Sequence, residues 1–259
     1  MRSIFAVSCV ALLFIGYSLF LPSPVRVELV DWAKQSDDEP TISIAFISDL
    51  HLTDSDLASG RLERLLEEVE GHLPQAILLG GDFSEGHREN SERIRSIAGL
   101  LGGSTEIPMF AVLGNHEIDK LEWSIELQRA GVTVLRNQVI WVSELALCLR
   151  GLGDMYSGDY RFVDFPDTCE NSKKLSFLHD PAGAFHPSMR GYVLAGHTHC
   201  GQINPPIVGP IWVPSGAPRE AWCGSYKSEQ ITLHVSSGVG TSLLPLRIFA
   251  SPAWALVTI

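Results

Sequence analysis

Short apolar runs alternate with helix-like patterns through the first half of the chain. Residues 41–48, 76–79 and 108–113 are almost wholly apolar, which predicts strands buried inside a sheet. Between and after these runs, apolar side chains recur every three or four residues and predict helices over 60–71, around 94–101 and over 120–130. Asp119 and Glu122 are placed to cap the third helix. The order strand, helix, strand indicates βαβ units and a largely parallel sheet.

The second half of the chain has shorter apolar runs with small gaps. These runs predict strands over 132–134, 139–142, 145–150, 175–178, 192–195, 221–226, 230–236 and 253–258. Two packed sheets flanked by helices suit this pattern better than one open sheet. Two long loops are expected, an acidic and aromatic loop over 151–172 and a proline-rich, apolar loop over 204–220.

Polar clusters follow five of the predicted strands. The clusters are Asp49-Leu50-His51, Gly81-Asp82, Gly114-Asn115-His116, His179-Asp180, and Gly196-His197-Thr198-His199. The carboxyl ends of parallel strands meet at one edge of a sheet, so these side chains are expected to share a site. The glycine before the last histidine pair is expected to let the backbone turn sharply.

The clusters contain a set of residues typical of metal ligands. The predicted ligands are Asp49, His51, Asp82, Asn115, His179, His197 and His199. Imidazole and carboxylate together suit Mn, Fe or Zn, and two such ions sharing a carboxylate can clamp a phosphoryl group and activate a water. A single Asp or His at a strand end is usually structural, but five such clusters are hard to explain that way. Four other histidines, at positions 72, 87, 186 and 234, lack this setting and are expected to be surface or satisfied residues.

The charge of the chain limits its partners. The 259 residues carry a net charge of −11, which argues against a nucleic-acid surface. An acidic protein that handles anionic phosphate needs a local source of positive charge, and bound divalent ions would supply it.

The five cysteines leave the redox state open. Cys9 lies in the apolar start, and the spacing of Cys148, Cys169, Cys200 and Cys223 allows either free thiols or two disulfides. Free thiols are the simpler expectation.

The first segment is apolar. Ile4 to Leu21 contains no charged residue and is long enough to approach the thickness of a bilayer core. Its one near match to a signal-peptidase site, Gly16-Tyr17-Ser18, lies inside the apolar run, so we expect an uncleaved transmembrane anchor over 1–25 rather than a signal peptide. The flanking basic residues do not decide on which side of the membrane the rest of the chain lies. Residues 26–40 are expected to form a linker and 41–259 the catalytic domain.

The order of the motifs, from Asp49-x-His51 through Gly114-Asn115-His116-Glu117 to Gly196-His197-Thr198-His199, resembles the calcineurin-like metallophosphoesterases over residues 41 to about 200. The resemblance implies a four-layer αββα sandwich. It also implies one metal on Asp49, His51, Asp82 and His199, and a second on Asp82, Asn115, His179 and His197, with Asp82 bridging and a hydroxide between the ions as nucleophile. His116 would not bind metal and would act as the catalytic residue near the leaving-group oxygen.

The extension Cys200-Gly201-Gln202, together with the apolar start, resembles a membrane-associated branch of that family. Some of its members are phosphodiesterases and others UDP-2,3-diacylglucosamine pyrophosphatases of lipid A synthesis. We therefore expect a membrane-associated phosphodiesterase or pyrophosphatase acting on a lipid or nucleotide-linked lipid. The alternatives are a phosphomonoesterase on a soluble or protein substrate and a catalytically silent binding module, which is disfavoured because every ligand position is filled. The branch often has glycine at position 200, and Cys200 is expected to serve in packing rather than as a ligand.

The loop over 204–220 directly follows the histidine pair and should lie at the rim of the site. Its apolar residues predict either packing on the second sheet or an apolar lip against a bilayer or acyl chain, with Trp212 as the main contact.

Overall fold

Two six-stranded β-sheets form the centre of the computed structural model, which describes residues 24–33, 40–86 and 90–259. The strands are β1 (Arg26–Asp31), β2 (Ser43–Ile47), β3 (Ala76–Leu79), β4 (Met109–Ala111), β5 (Thr133–Val134), β6 (Gln138–Val142), β7 (Leu147–Gly151), β8 (Lys173–Phe177), β9 (Gly191–Ala195), β10 (Gly224–Lys227), β11 (Ile231–Val235) and β12 (Ala253–Thr258). The α-helices are α1 (Asp54–Ala58), α2 (Arg61–Gly71), α3 (Ser91–Gly103) and α4 (Lys120–Arg129).

Both sheets are mixed. The first has the order β1-β12-β2-β3-β4-β5, in which β12 runs antiparallel to β2 and the remaining neighbours are parallel. The second has the order β10-β11-β9-β8-β7-β6, with antiparallel pairs only at its two edges. The three predicted helices and the predicted strands are confirmed, except that the strand predicted over 221–226 begins only at Gly224, after the 3₁₀ helix Arg219–Ala221. The side chain of Asp119 accepts a hydrogen bond from the amide of Glu122 and caps α4 as expected.

One apolar core lies between the sheets and a second lies under the helices. Phe46 and Leu78 of the first sheet pack in one cluster with Leu149 and Phe177 of the second. On the other face of the first sheet, the next residues along the same strands pack against the apolar sides of α2, α3 and α4. Alternation along each strand therefore supplies both cores, because successive side chains point to opposite faces.

The fourth layer differs from the expected helical one. In the described part of the chain, the outer face of the second sheet is covered by the short 3₁₀ helices Pro181–Phe185 and Arg219–Ala221 and by the loop over 151–172. Tyr160 and Phe162 of this loop pack on the sheet, and the buried Arg150 guanidinium lies against the ring of Phe162. Aromatic residues of a loop thus fill the place where the resemblance implied helices.

Two further expectations about the chain are wrong. Residues 26–31 do not belong to a linker, because they form β1 and pair in register with β12 from Arg26–Ala253 to Asp31–Thr258. The four cysteines of the domain are not free thiols, since Cys148 bonds to Cys169 and Cys200 to Cys223. Cys200 is therefore a disulfide residue rather than a small packing residue.

The expected anchor over Ile4 to Leu21 lies outside the described residues. Among the residues that are described, no helix has both the length and the apolar character needed to cross a membrane.

Candidate metal centre

The site lies where the carboxyl ends of β2, β3, β4, β8 and β9 meet. Backbone hydrogen bonds hold the loops that follow these strands side by side. The amide of Asp49 donates to the carbonyl of Gly81 at 2.9 Å, and the amide of Gly196 donates to the carbonyl of His179 at 2.9 Å. The strand-end clusters are therefore brought to one edge of the sandwich, as the sequence predicts.

The first group of potential ligands consists of Asp49, His51 and His199. The Nε2 atoms of the two histidines are 3.0 Å apart, and Nε2 of His199 lies 3.5 Å from Oδ1 of Asp49. All three side chains are buried. One ligand atom from each lies within 4.8 Å of the others.

The second group consists of Asp82, His179 and His197, with Asn115 beside it. Nε2 of His179 lies 3.2 Å from Oδ2 of Asp82, 3.1 Å from Oδ1 of Asn115 and 3.1 Å from Nδ1 of His197. Oδ2 of Asp82 is also 3.5 Å from Nε2 of His51. Asp82 thus lies between the two groups, and all seven residues predicted from the sequence are brought together.

Acceptors outside the cluster orient two of the rings. Nδ1 of His179 lies 2.7 Å from the carbonyl of Gly80, and Nε2 of His197 lies 2.8 Å from the carbonyl of Pro214. A carbonyl can only accept, so each of these nitrogens carries a proton, and in the neutral ring the other nitrogen presents its lone pair to the cluster. Histidine ligands of metals are commonly fixed in this way.

The spread of the donor atoms fits divalent cations. Nitrogen and oxygen ligands lie at roughly 2.0–2.2 Å from Zn²⁺, so atoms on opposite sides of one ion are up to about 4.4 Å apart. The measured separations between ligand atoms in the two groups, 3.0–3.5 Å, lie inside this limit. The donor set also mixes imidazole with carboxylate, which suits Mn, Fe or Zn.

The electrostatics of the cluster favour positive charge between the carboxylates. Burial opposes ionisation of Asp82, but the neighbouring His179 and His51 hold its pKa well below the usual range. Burial likewise opposes protonation of His179, yet the carboxylates of Asp82 and Asp49 raise its pKa well above the usual value. Burial lowers the pKa of His199 to about 3, so this ring stays neutral, as a metal ligand must be.

His116 lies beside both groups. Its backbone amide donates to Oδ1 of Asp82 at 2.9 Å, and its ring stands edge-on to the ring of His51 with centroids 4.6 Å apart. It lines a cleft together with Asp82, Asn115 and His199. A nitrogen of His116 also lies within 4.8 Å of ligand atoms of His51 and Glu85.

The backbone is strained at most of these positions. Five of the seven predicted ligands adopt positive φ values, between 42° and 67°; they are Asp49, His51, Asp82, His197 and His199. Left-handed backbone is uncommon for residues other than glycine and clusters at functional sites. Gly196 is not in the left-handed region; a Cβ there would collide with the Asp49 carboxylate. Gly196 therefore lets its backbone approach the Asp49 carboxylate closely. The sharp turn expected at this glycine is made instead by the two histidines that follow it.

Three residues of the site were not assigned a role from the sequence. The Glu117 carboxylate accepts hydrogen bonds from the amides of Asp82, Phe83 and Gly114 at 2.7–2.9 Å. A carboxylate oxygen of Glu85 lies 2.6 Å from Nδ1 of His51. A guanidinium nitrogen of Arg247 lies 3.1 Å from Nδ1 of His199 and donates to the carbonyl of Ser237 at 2.8 Å. Glu117 and Glu85 lie within three residues of a predicted ligand, whereas nothing in the sequence distinguishes Arg247.

The remaining histidines have other surroundings. His72 is exposed beside Trp254, His186 stacks on Phe162, and His234 pairs with Glu28 at 3.0 Å. Position 87 lies outside the described residues. The three described histidines are surface or satisfied residues, as expected.

Comparisons with known proteins agree with this geometry. A family model described as calcineurin-like phosphoesterase matches residues 42–201. The chain is 30% identical to phosphodiesterase YaeI of Escherichia coli, covering 83% of this chain and 81% of that protein. It is 26% identical to the uncharacterized protein YpbG of Bacillus subtilis, covering 85% and 82%. It is also 25% identical to a protein of Danio rerio named as a transmembrane protein with metallophosphoesterase domain, covering 80% of this chain and 50% of that protein.

Proposed function

Since the chain belongs to the calcineurin-like phosphoesterase family and is a phosphoester hydrolase, we propose that it is a two-metal phosphodiesterase. The observation that carries the proposal is the position of Asp82, whose Oδ2 lies 3.5 Å from His51 in one ligand group and 3.2 Å from His179 in the other. One ion would be held by Asp49, His51, Asp82 and His199, and the other by Asp82, Asn115, His179 and His197. Mn, Fe and Zn suit this donor set.

Two cations bound there would supply Lewis acidity, which stabilises charge on a phosphoryl group and lowers the pKa of a bound water. The chain's own residues do the rest. Asp82 fixes the spacing of the two ligand groups. It also accepts a hydrogen bond from the backbone amide of His116, which fixes the backbone position from which the His116 side chain extends. The imidazole of His116 then donates a proton or hydrogen bond to the departing oxygen, a contribution typically worth about 10²–10⁴ in rate.

The cleft favours a diester over a monoester. Among the described residues that line it, none is a lysine or arginine, and Trp212, Pro214 and Leu243 give it an apolar side. A diester carries one negative charge and two substituents, so it needs less cationic charge than a monoester dianion and can use an apolar wall. The name of the YaeI relative, a phosphodiesterase, supports the same choice.

The disulfides indicate the compartment. All four cysteines in the described part of the chain are paired, and such bonds persist in oxidising surroundings rather than in the cytosol. We propose that the catalytic domain lies outside the cytosol and that the apolar start of the chain anchors it to a membrane. A narrower candidate is the hydrolysis of UDP-2,3-diacylglucosamine, whose acyl chains would also use an apolar wall. A nucleotide-activated sugar, however, belongs to the reducing cytosol, where the two disulfides would not persist.

The purified full chain tests the proposal with two chromogenic substrates. Bis(p-nitrophenyl) phosphate should be hydrolysed faster than p-nitrophenyl phosphate, and activity should disappear on chelation and return with Mn²⁺. Metal analysis of the active protein should find two ions per chain. Faster hydrolysis of the monoester would identify a phosphomonoesterase instead, and hydrolysis of neither would identify a silent binding module.

A further inference from the structure

Two loops place exposed apolar side chains at the mouth of the cleft. We name these residues the apolar rim: Ile207, Val208, Ile211, Trp212, Leu243 and Leu244. Each is at least 56% exposed, and Ile207 projects fully into solvent. Soluble proteins rarely leave apolar residues contiguous on the surface unless they contact another apolar surface.

One part of the loop over 204–220 packs inward and another part exposes apolar residues, so it has features of both expected arrangements. Its second part packs inward, since Val213 and Ala217 are buried. Its first part carries the exposed residues, and Arg219 supports it by donating to the carbonyl of Val208 at 2.9 Å. Packing thus fixes the base of the loop while the rim residues remain outside.

The second loop of the rim is tied to the first. A bridge joins Ile203 to Ile248, and the amide of Asn204 donates to the carbonyl of Ile248 at 2.9 Å. The side chain of Gln202 donates to the carbonyl of Ser242 and accepts from its amide, each at 2.8 Å. The rim is therefore one connected surface.

The rim is also connected to the candidate metal centre. Trp212 and Leu243 line the cleft that contains His116. The amide of Leu243 donates to Oε1 of Glu85 at 3.2 Å, and the other oxygen of Glu85 lies 2.6 Å from His51. An apolar surface in contact with the rim would thus lie directly against the mouth of the cleft.

The charge pattern selects an uncharged partner. The chain has a net charge of −11, yet residues 200–218 and 235–246 contain no Asp, Glu, Lys or Arg. A protein partner recognised by charge would find no complement here. The apolar layer of a membrane requires none.

The topology places the beginning of β1 at the same end of the molecule as the rim. β12 runs antiparallel to β2, and β1 runs parallel to β12 from Arg26 onward. The beginning of β1 therefore lies at the carboxyl end of β2, which carries Asp49, and only two strand spacings away, or roughly 10 Å. The described chain thus begins at the edge that carries the rim, and the uncharged sequence from Ile4 to Leu21 precedes it.

From these observations we infer that the apolar rim inserts into the surface of a lipid bilayer and presents the cleft to phosphodiester headgroups of lipid-linked substrates. The inference rests on the proposed phosphodiesterase activity for its chemistry, but the docking surface is defined independently by exposure, charge and topology.

The catalytic test uses the full chain in phosphatidylcholine vesicles. The rim variant combines Ile207→Ser, Ile211→Ser and Leu244→Ser, three residues that do not line the cleft. On the p-nitrophenyl ester of phosphatidic acid embedded in the vesicles, we expect at least about a tenfold loss of rate, which corresponds to about 1.4 kcal/mol. On soluble bis(p-nitrophenyl) phosphate, the rate should stay within about twofold of wild type, since 0.4 kcal/mol or less corresponds to that change.

Trp141→Ser is the matched control for the rim variant. Trp141 is 53% exposed but pairs with Cys148 near the start of β7, at the opposite end of the second sheet from the site. The control should behave as wild type on both substrates. Equal losses on both substrates in the rim variant would show a role in folding or in the cleft, and no loss on either would show that the rim is idle; each result overturns the inference.

A measurement of location does not depend on catalysis. Vesicles of brominated phosphatidylcholine should quench tryptophan emission of the wild type and of Trp141→Phe, and Trp212→Phe should lose most of the quenching. The segment over residues 1–25 contains no tryptophan, so it does not contribute to this signal. If Trp212 is not quenched, the docking inference is wrong; if the chain then sediments as a dimer that the rim variant dissociates, the occupant is a second copy. Quenching without diesterase activity would leave the docking surface intact and refute the proposed function.

Discussion

The backbone amide of Asp82 donates a hydrogen bond to the buried carboxylate of Glu117 at 2.9 Å. Glu117 also accepts from the amides of Phe83 and Gly114, so one carboxylate holds the loop after β3 against the loop after β4. The Asp82 side chain in turn accepts a hydrogen bond from the amide of His116, which lies in the loop after β4. The residue proposed to bridge two ions is therefore positioned by a buried carboxylate that accepts a hydrogen bond from its backbone amide.

Glu117→Gln tests this arrangement. The amide oxygen can replace only one carboxylate oxygen, and the new NH₂ group faces backbone donors, so a buried hydrogen bond is lost. The expected cost in the free energy of unfolding is about 1–3 kcal/mol. Urea denaturation measures this cost, with the exposed Glu67→Gln on α2 as a control that should change it little. Equal stability of the two variants would contradict the structural role.

Asp82→Asn tests the bridging role. A neutral amide offers one weak oxygen ligand where the carboxylate offers two, so both proposed metals should bind less tightly. We expect activity to be nearly abolished and metal content to fall clearly below two ions per chain, while circular dichroism shows a folded protein. Retention of both ions and of turnover would exclude a bridge at this position.

His116→Ala separates catalysis from metal binding. The variant should keep both ions but lose turnover, and the loss should be largest for substrates with poor leaving groups, since p-nitrophenolate needs little protonation to depart. Rates on an alkyl diester and on bis(p-nitrophenyl) phosphate, with metal analysis of the same samples, make the comparison. Loss of an ion would identify His116 as a ligand, which its position near His51 and Glu85 allows.

Much of the fold was accessible from the sequence because buried strands leave long apolar runs. The strand at 76–79 and the helix at 61–71 were predicted almost to the residue. β1 was missed because RVELVD alternates polar and apolar residues at the edge of a sheet, where one face stays exposed. Its partner β12 lies at the other end of the chain, and local sequence does not report such a pairing.

The site was predictable for a related reason. Side chains such as Asp49 and His197 directly follow apolar strands, so their convergence follows from the sheet. The residues that support them approach from elsewhere: Arg247 reaches His199 from a loop 48 residues further along the chain. The pairing of cysteines was also inaccessible, because spacing alone does not determine connectivity.

Glu85→Gln tests a contact of this supporting kind. The Glu85 carboxylate lies 2.6 Å from His51, and their interaction lowers the pKa of Glu85 against the opposing effect of burial. A carboxylate behind a metal-binding histidine orients the ring, and its loss typically costs about 10–100-fold in metal affinity or activity. Titration with Mn²⁺ should show this weakening without a change in the number of ions bound. Unchanged affinity would mean that the backbone alone orients His51.

The final prediction concerns the disulfide next to His199. Cys200 bonds to Cys223 and closes a loop with a sequence separation of 23, while Cys148 bonds to Cys169 with a separation of 21. Loops of this size give similar entropic stabilisation, so replacing either cysteine pair by serine should lower the free energy of unfolding by roughly 3 kcal/mol.

Only the Cys200 pair adjoins a predicted ligand and closes the loop that carries Trp212. Its removal should therefore also weaken Mn²⁺ binding and lower diesterase activity more than removal of the Cys148 pair does. Both double variants are compared under conditions where they are fully folded. Metal titration and initial rates of the two double variants measure the difference. Because stability falls equally in both, a selective loss in one reports the position of His199 rather than general destabilisation; equal losses of affinity would show that the bond serves the fold alone.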